Sequence, residues 1–228
     1  MRITVLTLFP DLFSGFLTES IIKRAINQGI VTIEIIDFRE YATNKHKQVD
    51  DSAYGGGAGM VISVEPVYNA LTSVPGYAQA RKILLSPQGR PFHQERAKQL
   101  AAEAHLILIA GHYEGFDERL NEFVDEEISI GDYVLTGGEI PAMVVMDALI
   151  RLLPGALGNE ESFRQDSFYE GLLDYPQYTR PYDFKGLKVP DVLLSGNHQE
   201  IEKWRREEAM KRTKARRPDL LKIKQQKD

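Results

Sequence analysis

The chain has 228 residues, 43% of them hydrophobic, with no cysteine and a formal net charge of −5. That length and apolar content suit one large or two modest globular domains, and the lack of cysteine excludes disulfides and thiolate chemistry and leaves zinc only His and carboxylate ligands. The charge is uneven: residues 1–197 carry 17 Lys and Arg against 27 Asp and Glu, a balance of −10, whereas residues 198–228 carry 11 against 6, a balance of +5.

The opening MRITVLTLFPDLF lacks a basic stretch followed by an uninterrupted apolar run, so no secretory signal is expected and the cytoplasm is the expected compartment. Residues 2–8 are rich in apolar and β-branched side chains, as a buried strand requires, and residues 18–28 read as a helix that Gly29 would end. Residues 31–37 (VTIEIID), 82–85 (KILL) and 106–110 (LILIA) are further strands, with helical patterns at 64–71 and 93–104 between them. Nearly continuous apolar strands alternating with helices predict a parallel α/β sheet over the first 160 or so residues.

The longest apolar run, residues 140–153, is interrupted by Asp147 and Arg151 and is shorter than the roughly 20 residues a bilayer requires, so no membrane association is expected. A helix apolar around most of its circumference must be buried on every side, by the monomer core or by a second copy of the chain. Residues 155–190 are polar and rich in Gly, Asp, Pro and Tyr, a linker or functional loop whose 155–174 part is expected to be unordered in the free protein. Asn197, with Glu200 three residues on, opens a basic helix that runs until Pro218, read as a small helical second domain.

In parallel α/β sheets ligands bind beyond the carboxyl ends of the strands. Three such ends carry small residues and free backbone groups suited to a purine edge or a ribose: LLSPQG (84–89), IAGHYEGFDER (109–119) and ISIGDYVLTGGE (128–139). Taken singly, each is also an ordinary turn. In SIGDYVLTGGEIPAM (129–143), Gly131, Gly137, Gly138 and Pro141 bend the chain just before the apolar helix, yet neither the phosphate-loop pattern nor the G-x-G-x-x-G dinucleotide turn is present. The five histidines, His46, His93, His105, His112 and His198, show no ligand spacing, so metal held by histidine is not expected.

Six blocks in order, VDDSAYGGGAGM (49–60), LSPQG, GHYEGFDER, SIGDYVLTGGE, DSF (166–168) and PQYTRP (176–181), closely resemble bacterial tRNA (guanine-N1)-methyltransferases over essentially the whole chain. The resemblance implies an α/β fold of the SPOUT type, a parallel sheet with a deep C-terminal trefoil knot, a rare exception to the rule against threaded chains. It implies a knotted cofactor-binding domain at residues 1–160, an interdomain linker and catalytic loop at 161–185, and a helical tRNA-binding domain at 186–228. The cofactor implied is S-adenosylmethionine, wrapped by the SIGDYVL loop. Carried over residue by residue, its site comprises Leu85, Ser86, Pro87, Gly111, Tyr113, Glu114, Ile130, Gly131, Asp132, Tyr133, Val134, Leu135, Gly138 and Pro141.

Methylating guanine N1 needs a base for the N1 proton and a cation or donor for the charge growing on O6. The resemblance assigns the base to Asp166 and the cation to Arg151, on the guanosine immediately 3′ of the anticodon when another guanosine precedes it. It also implies magnesium, for which Glu114 and Asp166 offer oxygen ligands. On the residues alone, Asp147 and Arg151 have the spacing of an intrahelical ion pair, Asp166 is a helix N-cap candidate, and Glu114 belongs to an acidic surface run.

The tRNA would be met at the target base by Asp50, Gly55, Gly56, Gly57 and Gly59, and at backbone phosphates by Lys211, Arg212, Lys214, Arg216 and Arg217. As an isolated charge run the latter reads as a solvated helix face. The family also implies a homodimer with active sites at the interface. Ala53 stands where the family block has proline, and His112 where some members have arginine. The competing readings are another SPOUT methyltransferase or a non-catalytic RNA-binding module with a relic cofactor pocket.

Overall fold

The computed structural model describes residues 1–158 and 166–225, and the chain divides into two compact units, Met1–Asn159 and Glu160–Asp228. The first unit runs β1 (Arg2–Thr7), α1 (Ser14–Thr18), α2 (Ser20–Asn27), β2 (Thr32–Asp37), β3 (Asp50–Asp51), β4 (Val61–Ile62), α3 (Val64–Ser73), β5 (Arg81–Pro91), α4 (Gln94–Ala101), β6 (His105–Ala110), β7 (Glu126–Ser129) and α5 (Glu139–Ile150). Five strands form one sheet in the order β2-β1-β6-β5-β7, and every pairing in it is parallel.

Successive side chains of a strand point to opposite faces, and both faces here are buried. Ile3 and Val5 of β1 and Leu106 and Leu108 of β6 pack with Phe13, Ile22, Leu100 and Met146 from the turn before α1 and from α2, α4 and α5. Leu6, Ile107 and Ile109 pack on the other side with Phe38, Val67 and Leu71. Covering both faces is what makes the central strands read as unbroken apolar runs. Each fully buried Leu or Ile of β6 contributes roughly 1.5–3 kcal/mol by leaving water.

Three elements differ from expectation. The helix expected at 18–28 is α2, over Ser20–Asn27, which starts two residues late because Glu19 is extended and Ser20 takes a left-handed φ of 54°; the short α1 before it is unexpected. β5 does not end at Leu85 but rejoins β7 at Arg90 after a register shift. β7 itself, EEIS, is acidic and short, so the sequence disguised it. Its Glu126 is tied down by Arg81 at 3.1 Å and by Arg96, which lets a charged strand occupy the sheet edge.

The second unit holds a hairpin of β8 (Asp183–Phe184) and β9 (Leu187–Lys188), then α6 (His198–Arg216) and α7 (Asp219–Gln225). Lys185 and Gly186 at the hairpin tip both have positive φ, as the tightest two-residue turns require. Asn197 caps α6, its side-chain oxygen accepting from the amides of Gln199 and Glu200 at 3.2 and 3.3 Å.

Of the segment expected to be unordered in the free protein, residues 155–174, residues 159–165 lie outside the described residues; the part from Asp166 onward and the chain after it make contacts with the following helix. The Leu173 amide donates to Thr213 Oγ1 at 2.9 Å, the Arg205 guanidinium lies 4.9 Å from the Tyr175 ring centre, and Tyr178 meets Trp204. Aromatic residues scattered among polar ones supply the packing that the composition concealed. No helix among the described residues is long and apolar enough to cross a membrane.

Candidate functional site

Parallel register brings three strand ends together. Leu85 of β5 lies beside Ala110 of β6 on one side and Ile128 of β7 on the other. The segments that follow these positions close around a cleft of about 340 Å³, within the range of small-ligand sites.

The wall from β5 bulges out through Ser86–Gln88 and returns at Gly89, where a Cβ would stand 2.6 Å from the Glu127 and Ile128 carbonyl carbons. Only glycine permits that approach. The wall from β6 turns through Tyr113, whose φ of 59° is left-handed, and is laced to the preceding chain: the Glu114 amide donates to Met60 O at 3.1 Å and the Ile62 amide to Gly115 O at 2.9 Å. The Glu114 side chain covers Gly59 so closely that any Cβ there would overlap it. The glycine turn expected to shape the base pocket is therefore in contact with a residue expected to serve the cofactor.

The wall from β7 is shaped by Ser129, whose hydroxyl donates to Gly131 O at 3.0 Å. The loop then carries Tyr133, Val134 and Leu135 with exposed apolar surface and comes back against β6, where the Gly138 amide donates to Gly111 O at 2.7 Å. A Cβ on Gly138 would lie 2.7 Å from Ala110 Cα and Gly111 N. Gly138 then leads into α5, whose first residue, Glu139, is only 3% exposed and accepts from Thr7 Oγ1 at 2.8 Å.

Of the residues expected around the cofactor, all line this cleft except Asp132. Gln88, Phe116 and Thr136, which lie inside the three strand-end segments but are not among the expected cofactor residues, also line it, as does Asn121, which lies outside those segments on the 3-10 helix Glu118–Phe123. Two of the lining residues, His112 and Asn121, carry a buried polar atom, Nδ1 and Oδ1, that has no hydrogen-bond partner among the described residues. His112 rests against Phe9 at 4.8 Å and edge-on to Tyr113 at 5.2 Å. At the rim, Arg119 holds Asp117 through contacts of 2.8 and 2.6 Å, and these bonds keep the Asp117 carboxyl below the usual carboxylate range.

The remaining expected residues are distributed between the units. Asp50 pairs with Ile62 in the β3–β4 ladder, next to the Gly55–Gly59 turn. Arg151 is the C-terminal cap of α5, half-buried, with its amide on Asp147 O at 3.4 Å. Asp166 begins the described part of the second unit, its carbonyl accepting from the Tyr169 amide at 3.3 Å. Of the basic run, Lys211 is paired with Glu208 at 3.3 Å and Arg217 with Asp219 at 2.6 Å, while Lys214 and Arg216 are exposed. Glu114 and Asp166 fall in different units, and among the described residues no three His, Asp or Glu side chains cluster as metal ligands do.

The model of one protein family, described as tRNA (Guanine-1)-methyltransferase TrmD, matches residues 1–223. Among similar proteins, the tRNA (guanine-N(1)-)-methyltransferase of Geobacillus kaustophilus is 60% identical over 223 residues, covering 97% of this chain and 91% of the relative. That of Shouchella clausii is 58% identical over 224 residues, 97% and 92% of the two chains, and that of Moorella thermoacetica is 59% identical over 225 residues, 97% and 90%.

Proposed function

The chain belongs to the tRNA (guanine-1)-methyltransferase family, and on that premise we propose that it transfers the methyl group of S-adenosylmethionine to N1 of the guanosine immediately 3′ of the anticodon (tRNA position 37), preceded by another guanosine. A tRNA (guanine-N1)-methyltransferase is an enzyme, as the curated relatives' names state. The observation that carries the finer reading is the cleft at the ends of β5, β6 and β7, built from the three glycine-rich blocks.

The residues present fit the cofactor. The cleft combines apolar side chains with backbone groups, as small-ligand sites do, and its lining residues His112 and Asn121 each carry a buried polar atom with no hydrogen-bond partner among the described residues. Tyr133, Val134 and Leu135 offer apolar cover for an adenine ring, and the backbone between Gly111 and Gly138 offers donors and acceptors at close approach. The chain from β7 to α5, laid against the end of β6, is read as part of a deep trefoil knot. When bound, S-adenosylmethionine supplies an activated methyl group on its sulfonium.

The chain's own work is on the proton and the charge. Asp166 takes the proton from guanine N1, and the Arg151 guanidinium stabilises the negative charge that grows on O6. Asp50 and the glycines of 55–59 shape the place of the target base beside Glu114. An unstacked loop base reaches such a site at lower cost than one in a duplex. The second unit, with its exposed Lys214 and Arg216, meets backbone phosphates. Magnesium remains an implication of the family; two carboxylates do not make up its ligand shell, and no step is derived through it.

A homodimer is part of the same reading. Ile140 and Val144 on α5 are 56% and 42% exposed, an apolar face that the first unit leaves for a second copy to cover. The enzyme would work in the cytoplasm, where tRNA is found.

The test is methyl transfer from labelled S-adenosylmethionine to two tRNAs, one with guanosine 3′ of the anticodon and one with adenosine there, beside an Asp166→Ala protein. Label recovered as 1-methylguanosine from the first tRNA only, and lost with Asp166→Ala, supports the reading. Label elsewhere assigns another base, and tRNA binding without label makes the chain a binding module.

A further inference from the structure

The basic run at 211–217 is not uniform. Thr213, in its middle, is fully buried; its hydroxyl donates to Ala209 O at 2.7 Å and accepts the Leu173 amide at 2.9 Å. Arg217, at the end of α6, donates to Asp219 from Nε at 3.0 Å and from Nη2 at 2.6 Å, and its guanidinium stands 5.6 Å from the Phe168 ring centre. One face of this stretch is therefore committed to the chain itself, specifically to residues 168–173.

That loop is closed by its own bonds. The Phe168 amide donates to Leu172 O at 2.7 Å and the Tyr169 amide to Asp166 O at 3.3 Å, while the Asp174 amide donates to Ser167 Oγ at 2.9 Å. Phe168 carries a φ of 72°, a left-handed conformation that a bulky residue keeps only when its surroundings fix it. Among the surroundings are Arg217 on the ring and, on the far side of the loop, Thr213.

We propose that Thr213 and Arg217 are positioning residues that dock the Asp166-bearing loop, residues 166–174, onto α6. The same helix presents Lys214 and Arg216 outward, so phosphate-holding cations and the base-bearing loop move as one piece. Arg217 then serves the loop rather than a phosphate, in contrast to what its place in the basic run suggests. The inference rests on the reading of Asp166 as the general base.

The test uses the full chain with labelled S-adenosylmethionine and a tRNA carrying guanosine 3′ of the anticodon. Variants Thr213→Val, Thr213→Ser, Arg217→Gln, Lys214→Gln and Asp166→Asn are compared by single-turnover methylation at saturating substrates, by tRNA affinity across salt concentrations, and by hydrogen exchange of the Leu173 amide. Thr213→Val is expected to speed Leu173 exchange and to lower the saturated rate on the order of 10- to 100-fold, the cost of a small misplacement at a reacting centre, with Thr213→Ser restoring both. Arg217→Gln is expected to lower the saturated rate with an unchanged salt slope, whereas Lys214→Gln reduces that slope by about one.

Unchanged Leu173 exchange in Thr213→Val overturns the docking. An Arg217→Gln protein that keeps its saturated rate but loses tRNA affinity and salt slope as Lys214→Gln does overturns the role given to Arg217. Should Asp166→Asn keep the wild-type rate, the general-base reading fails separately, and Leu173 exchange alone decides the docking.

Discussion

Thr7, the last residue of β1, donates its hydroxyl to the carboxylate of Glu139, the first residue of α5, at 2.8 Å across 132 positions of chain. Both residues are buried, and the Phe9 amide in turn donates to Thr7 Oγ1 at 3.0 Å. This bond fixes where α5 starts, and with it the Gly137–Gly138 turn at the floor of the cleft. Thr7→Val keeps the shape but leaves a buried carboxylate oxygen without its donor, at a cost of about 1–3 kcal/mol. The expected result is a lower urea midpoint and weaker S-adenosylmethionine binding by calorimetry. Unchanged affinity in a destabilised protein would show that the bond holds the fold and not the cleft.

Gly138 is the point at which the cleft loop touches the strand behind it. The atoms a Cβ would meet there, Ala110 Cα and Gly111 N at 2.7 Å, are backbone and cannot rotate aside. Gly138→Ala is therefore expected to displace the loop and weaken cofactor binding by tenfold or more, a loss of about 1.4 kcal/mol or more. Gly15→Ala, in α1 with open space around it, serves as the control and is expected to be neutral or slightly stabilising. Equal cofactor affinity in the two variants would mean that the loop yields without cost.

Much of this is legible in the sequence. Residues 2–8 and 106–110 announced central strands because both of their faces are buried, and apolar runs are the direct consequence. The cleft residues were reachable through glycine-rich blocks that follow such strands. Less legible was whatever depended on long-range partners. EEIS was hidden as a strand because Arg81 and Arg96, distant in sequence, compensate its Glu126. The inward role of Thr213 was hidden because a threonine among five cations looks like part of a solvated face, and its partner, the Leu173 amide, is 40 residues away.

His105, at the start of β6, links stability to pH. Burial first, and then the positive charge of Arg2, hold its imidazole below the ordinary value of 6.5, with Glu34 opposing; Thr4 Oγ1 lies 3.1 Å from its Nε2. In the folded chain the ring resists a proton that the unfolded chain accepts more readily. Its contribution to stability is thus complete above 6.5 and is lost as pH falls through that value toward the folded one. Urea midpoints measured at about pH 7.5 and about pH 5.5 are expected to differ less for His105→Gln than for the wild type. An identical pH dependence in both proteins would place the titrating group elsewhere.

The exposed face of α5 bears on where the active site is assembled. Ile140, Val144 and Asp147 are all exposed, and their spacing of four and three residues places them on one helical stripe. If a second copy covers that stripe, Val144→Glu puts an unpaired charge into the contact and is expected to shift the protein from dimer to monomer in light scattering, with methyl transfer lost. A Val144→Glu protein that stays dimeric and active would remove α5 from the interface. Sharing of the site between chains is tested separately by mixing two inactive homodimers, Arg151→Ala and Asp166→Ala. If each site takes Arg151 from one chain and Asp166 from the other, a mixed dimer contains one site with both residues changed and one with both intact. Random exchange would then restore about a quarter of the wild-type activity. If both residues of a site come from one chain, every site in the mixed dimer lacks one of them and mixing restores nothing.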